Sequence, residues 1–501
     1  MSSLTPAEER GLSGLTLDSQ LRQAFARLSS DEVAELVREM HAEALKRKLI
    51  YVRDGQAEAI PVMLRPTAIL PDQLAYLHFV ALTLINALKR LPDLYIQDFG
   101  VRGVVPLTPP EEKWLWDNWG PNHRENNPVF GRLDAVIDLT SPMWKDSLHF
   151  MEPNLSGVGG IHLIPVVEQV LADVVVPALQ RQTPALRLEA GQDLRELFIQ
   201  EVLDHLEGIG RSGRNICFVE PKYSGDGPVE QECLAEYYQE RHGLNIFHAD
   251  PSELYLVDGE VMYKGRMVDV IYRDYEIRDM LYIEEEEGVD IRPLRQLFKQ
   301  NRVISSLAGD FDHKSCWEVL TDPQYTNKYF SADERQVFRR HVLWTRVVAD
   351  RRTTLPDGES VNLLEYARKE HDLLVLKPNR SYGGDRVVIG PAVSQREWEA
   401  ALQTAVAAAE AGDEQWVVQR LARLPVYEFP VIGGADGASA LAFEPFYTVM
   451  GLAPTKYGLS VLGRASQKLV VNVAQRGGLC GVLIGKPSGR LMGPLRPAPT
   501  E

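Results

Sequence analysis

Two segments in the first third of the chain, GRLDAVIDL (residues 131–139) and SLHFMEPNLSG (residues 147–157), place charged and amide side chains inside apolar runs. The runs at 132–139 and 148–152 read as a pair of short strands. On an extended chain Glu152 and Asn154 lie two residues apart and share one face, and Arg132 and Asp134 do the same on the neighbouring strand. Asp134, Glu152 and Asn154 would together offer the carboxylate and amide oxygens that Mg²⁺ prefers. Arg132 would share their face and reach a phosphate. The competing reading is that Asp134 and Glu152 are surface or ion-paired residues. The apolar flanks Val136, Ile137, Phe150 and Met151 imply instead that their neighbourhood is buried.

With 501 residues and 45% hydrophobic composition, the chain can build several packed layers. A net charge of −16 argues against general nucleic-acid binding, so any bound nucleotide is expected to be small and to carry its own metal. The first residues, MSSLTPAEERGLSGL, lack a basic region followed by an apolar run, and no stretch of about 18 apolar residues stands out. A soluble, cytoplasmic protein with no membrane partner is the expectation. Cys217, Cys233, Cys316 and Cys480 are far apart and read as buried free thiols.

The expected organisation is α+β. Residues 1–120 form an α-helical N-terminal region with helical periodicity over 15–48 and 74–91, and residues 121–210 carry the paired strands. Residues 211–295 contain a strand–helix–strand unit (216–220, 231–241, 244–248), a hairpin over 254–263 turning on Asp258-Gly259, and a strand over 267–272. Helices dominate 293–348. Strands follow at 373–377, 386–389, 416–419, 446–452, 459–462 and 469–473, with a helix at 395–410, completing a unit over 296–485. The Pro- and Gly-rich tail 486–501 is expected to be poorly ordered.

In LLVLKPNRSYGGDRVVIG (residues 373–390), Lys377 ends an apolar strand, and Gly383 and Gly384 form a turn before the next strand. Such a hairpin can fold over polyphosphate, with Lys377 on the oxygens and the glycine N–H groups approaching closely. An ordinary hairpin with a solvated lysine is the alternative. The following strand, WVVQ ending at Gln419, can line an adenine pocket with main-chain amides, or can be a plain core strand.

The R-x-D pair, the E-x-N strand and the later K-P and Gly-Gly hairpin resemble the circularly permuted ATP-grasp ligases, in particular the synthetase domain of glutathionylspermidine synthase. In most ATP-grasp enzymes the metal strands come last; here, as in the permuted group, they come first, with a Rossmann-like pre-ATP-grasp module between. The resemblance implies a circularly permuted ATP-grasp core using ATP and Mg²⁺. Asp134, Glu152 and Asn154 would bind the metal, Arg132 the γ-phosphate, and Lys377 and Gln419 the nucleotide. Gly383 and Gly384 would form the lid. It also implies a second ATP-binding lysine, for which Lys314 in DHKSCWEVL is the candidate, and an arginine near the acyl phosphate, for which Arg464 is the candidate, with Asn472 beside it.

The chemistry implied is amide formation: a carboxylate attacks ATP to give an acyl phosphate, which an amine then displaces. A small-molecule kinase and a non-catalytic ATP-binding protein are the alternatives. Substrates are expected to be small-molecule or peptide carboxylates and amines, with room left for a homodimer. No covalent nucleophile is needed, and SGVGG (residues 156–160) reads as the turn after the metal strand. The acidic run 284–287 either captures the amine or is a solvated face. Tyr272 and Arg273 either wall the substrate pocket, or Arg273 pairs with Asp274 or Glu276.

Overall fold

Alternation along Arg132–Val136 points Leu133 and Ala135 into one core and Arg132 and Asp134 to the opposite face. A computed structural model describes residues 6–222, 227–433, 440–469, 471 and 477–486 of the chain. In it, Arg132–Val136 pairs antiparallel with His149–Asn154, Arg132 opposite Asn154 and Asp134 opposite Glu152, with a bulge after Asp134. Its other edge pairs with the long strand Ala440–Thr455, Gly451 facing Asp134. Gly458–Ser466 and Gly478–Cys480 extend the sheet, so strands from both halves of the chain share it. Behind it, the helix Pro71–Leu88 buries Leu77, Val80, Leu84 and Ile85 in one core with Leu133, Ala135 and Leu452.

A second sheet has the order Thr345–Val347, Trp416–Arg420, Leu374–Pro378, Val388–Ile389, all antiparallel. The helix Gln395–Ala411 starts on a Ser394/Glu397 capping box, ends at Gly412, and packs Trp398 and Leu402 against this sheet. A third sheet is wholly parallel, ordered Val303–Ile304, Val270–Arg273, Asn215–Val219, Asn245–Ala249, with the helix Gln231–His242 as crossover. This is the expected strand–helix–strand unit, and the hairpin Leu254–Val257/Glu260–Tyr263 turns on Asp258 and Gly259.

Several expectations change. The N-terminal region is not helical throughout: after the helices Pro6–Ala26 and Ser30–Lys46, Ile50–Arg53 and Gln56–Ala59 form a hairpin, and Thr67–Ile69 pairs with Val482–Gly485. Two stretches, Pro71–Gln97 and Leu163–Gln182, are long and apolar enough to span a membrane, contrary to the sequence reading. The second is two-thirds buried, as a core helix requires. Leu469 and Val471 are not in a strand; the rest of the strand expected there, Asn472 included, lies outside the described residues, as does the tail beyond Lys486. All four cysteines are buried and free.

Arg273 does not face a pocket. Fully buried, it pairs with Asp310 (2.6 Å) rather than with Asp274 or Glu276, and donates to the carbonyls of Ser305 and Ser306. Tyr272 is buried too, its hydroxyl accepting the Val158 N–H. Of the acidic run, Glu284 pairs with Arg295 and Glu285–Glu287 are exposed. Removing one partner of a buried ion pair strands the other charge, which costs about 3–5 kcal/mol. Arg273→Met is therefore expected to lower the chemical-denaturation stability by that order, and Arg273→Met/Asp310→Leu to recover most of it.

Candidate functional site

The face carrying Asp134 and Glu152 looks across a cavity of about 360 Å³ at the sheet carrying Lys377 and Gln419. Lys314, in the loop before the helix Cys316–Thr321, and Gly384 also line it, as does Arg464 near the end of Gly458–Ser466. Residues separated by more than 300 positions in the sequence thus meet around one space. The expected site residues Asp134, Glu152, Lys314, Lys377, Gly384, Gln419 and Arg464 all line it. Arg132, Asn154 and Gly383 stand beside it rather than on its wall.

Asp134 is held between two guanidinium groups. Arg132 Nε donates to its Oδ1 (3.1 Å), and Arg464 Nη2 lies 2.7 Å from its Oδ2. Burial opposes the charge of Asp134, but Arg464 and Arg132 outweigh it and hold the carboxyl below the usual aspartate range. The Arg464 contact is an ion pair off the line of a hydrogen bond: its buried Nε and Nη2 donors make no hydrogen bond among the described residues. A buried guanidinium with unmet donors on a cavity wall suits an anionic ligand. Arg132 reaches Asp134 because Gly451 has no side chain; a Cβ there would stand 2.6 Å from Arg132 Cδ. Sequence reasoning missed Gly451, since only the register of the two distant strands reveals its task.

Lys377 is buried except where it lines the cavity and donates to Gln419 Oε1 (3.0 Å). Burial pushes its ammonium below the usual lysine range, against the pull of Glu152. The Gln419 amide donates in turn to the Met151 carbonyl (2.8 Å) and to Thr345 Oγ1 (2.9 Å), so Gln419 orients Lys377 and ties the two sheets together. The backbone of Trp416–Gln419 is paired on both sides, with Thr345–Val347 and with Leu374–Pro378. Its amides are therefore not free to line an adenine pocket as the sequence suggested. The segment after it, through Leu421 and Leu424, lines the cavity instead, opposite Val375 and Ile389, and gives that end an apolar wall.

Lys314 Nζ lies 3.7 Å from Glu152 Oε2 and donates to the Ser381 carbonyl (2.5 Å), joining the Glu152 strand to the Gly383–Gly384 turn. Both glycines adopt positive φ, 70° and 76°, which a Cβ would strain. Asn154 Nδ2 donates to the Arg132 carbonyl (3.2 Å). Asp312, also missed in the sequence, accepts the Leu155 N–H (2.7 Å) and fixes the end of the Glu152 strand; burial pushes its carboxyl up to about 7.

Among the described residues no three His, Cys, Asp or Glu side chains gather as a metal cage. Two carboxylates facing lysines and an unsatisfied arginine fit a Mg²⁺ that takes its remaining ligands from phosphates and water, the usual mode for that ion.

No protein-family profile and no curated protein matches the chain. Among solved structures it resembles a glutathione synthetase-like effector from Globodera pallida in its apo form, with TM-score 0.59 and 11% identity, covering 91% of this chain and 98% of that one. At that identity the likeness shows the fold: the chain is glutathione synthetase-like in architecture and mixed α and β in class.

The depressed Asp134 pKa carries a sign. Its contribution to stability is present above the unfolded aspartate value of ~3.9 and is lost as pH falls through the lower folded value. Arg464→Met removes the larger of the two attractions, so NMR titration of the Asp134 carboxyl is expected to show its pKa rise relative to the parent.

Proposed function

We propose that the protein is an ATP- and Mg²⁺-dependent carboxylate–amine ligase with a circularly permuted ATP-grasp core. The observation that carries this reading is the single cavity at which Asp134 and Glu152 face Lys314, Lys377 and Arg464. Paired cations opposite paired carboxylates suit a metal-bound polyphosphate, and the apolar end near Val375, Ile389 and Leu424 suits a base. The permuted reading is supported by the chain order, in which the Asp134 and Glu152 strands precede the lysine strands, yet the Asp134 strand pairs with Ala440–Thr455.

In this mechanism Lys377 and Lys314 hold the nucleotide phosphates, Gln419 keeps Lys377 in place, and the Gly383–Gly384 turn covers them. Asp134, Glu152 and Asn154 would hold Mg²⁺, which when bound neutralises phosphate charge. A substrate carboxylate oxygen attacks the γ-phosphorus, the bond to the β-phosphate oxygen breaks, and ADP leaves. The amine nitrogen then attacks the acyl carbon, phosphate departs, and the amine proton passes to solvent or phosphate. Arg464 and Arg132 stabilise negative charge as it moves between these oxygens. The substrates are small or peptide carboxylates and amines.

Incubation with ATP, Mg²⁺ and pooled carboxylates and amines is expected to yield ADP, phosphate and a condensed mass. Asp134→Asn and Lys377→Met are each expected to cut turnover about 100-fold or more. A stable phosphorylated product in place of the condensed mass would assign a kinase instead, and ADP formation unchanged in both variants would remove the assignment.

A further inference from the structure

A second cavity, of about 230 Å³, lies outside the proposed catalytic site, where the end of the helix Pro71–Leu88 meets Pro128–Phe130 and the turn at Pro454–Lys456. Leu82, Ile85, Val129 and Phe130 make it largely apolar, and Lys89 enters it from the C-terminal cap of that helix. The Lys89 backbone is satisfied, its N–H by Ile85 and its carbonyl by Asn127. Its ammonium has no hydrogen-bond or ion-pair partner among the described residues. The side chain is half-buried, and its partial loss of water disfavours the charge; Glu201, which also lines the cavity, pulls the other way without pairing, and Lys456 opposes it. Glu201 is engaged by the Lys456 N–H (2.7 Å), and Lys456 Nζ pairs with Asp204.

A half-buried cation with no protein partner beside a largely apolar recess has lost part of its hydration without a replacement, which an anion entering the recess supplies. A carboxylate does so with a charge-assisted hydrogen bond, while Glu201 disfavours a second negative charge. An apolar cavity of ~150 Å³ accommodates benzene, so this one has space for a somewhat larger body. We propose that this cavity is a second ligand site, which takes a small monocarboxylate with an aliphatic or aromatic body against Ile85 and Phe130 and its carboxylate on Lys89. Its walls continue directly into Arg132–Val136 and Ala440–Thr455, the strands that present Asp134, so an occupant sits behind the proposed catalytic sheet.

The test is calorimetric titration of the full chain with hexanoate and benzoate, and with hexanamide and benzamide as uncharged controls. The carboxylates are expected to bind at least ten-fold more tightly than the amides. Lys89→Met, which keeps the aliphatic stem, is expected to remove that preference, and Leu82→Trp, which fills the cavity from a half-buried position and keeps the ammonium, to abolish binding while leaving the thermal unfolding midpoint unchanged. Lys377→Met and saturating Mg-ATP are expected to leave it unchanged, so failure of the ligase reading would not disturb this result. No binding to the parent, equal affinity for acid and amide, an undiminished preference in Lys89→Met, or displacement by Mg-ATP would each overturn the proposal.

Discussion

Asp134 is a buried carboxylate placed between Arg132 and Arg464, and the arrangement of the surrounding sheet follows from keeping it there. An isolated buried charge costs several kcal/mol, so this one persists only with both guanidinium groups beside it. Arg132 comes from the same strand, but Arg464 comes from one two places away, and the intervening strand must present a glycine, Gly451, to let Arg132 lie across. A one-residue slip of Arg132–Val136 would turn Asp134 into the apolar core and Leu133 into the cavity. The helix Pro71–Leu88, packed on Leu133 and Ala135, opposes that slip.

The second sheet is coupled to the first by polar links. Gln419 holds Lys377 while donating to Met151 of the Glu152 strand, and Lys314 stands between Glu152 and the Ser381 carbonyl. The lysines therefore lie where two sheets meet, largely out of water, and their side chains are held in position before any ligand arrives. Preorganised charge of this kind stabilises a moving negative charge better than water does, because it need not reorient. The glutathione synthetase-like fold shows the frame on which these residues sit; the chemistry is argued from the residues themselves.

Much of the frame was legible in local pattern. The period-2 alternation of RLDAV and HFMEPN gave both strands and their shared face, and apolar runs flanking a helix gave the parallel unit. What was hidden depends on contacts between distant segments. The Ala440–Thr455 strand is longer than its apolar stretch, because its first half pairs with Val426–Gly433 and its second half with Gly458–Ser466, where Met450–Leu452 also pair with Arg132–Val136. Arg273 looked like a pocket residue because Asp310, its partner, lies 37 positions on, whereas Asp274 and Glu276 were merely adjacent. Gln419 lines the cavity, but its contacts there are made by its side chain, since a central strand has no free amides. The hairpin after residue 50 escaped notice because its second strand, Gln56–Ala59, is mostly exposed and lacks an apolar signature.

The central claim is that this cavity holds metal-bound nucleotide. A crystal structure of the protein with Mg²⁺ and a non-hydrolysable ATP analogue tests it most directly. The account predicts phosphates against Lys314 and Lys377, the metal on Asp134 and Glu152, and the base against Val375 and Leu424. Nucleotide bound elsewhere, or bound here with Asp134 and Glu152 taking no part, would contradict it.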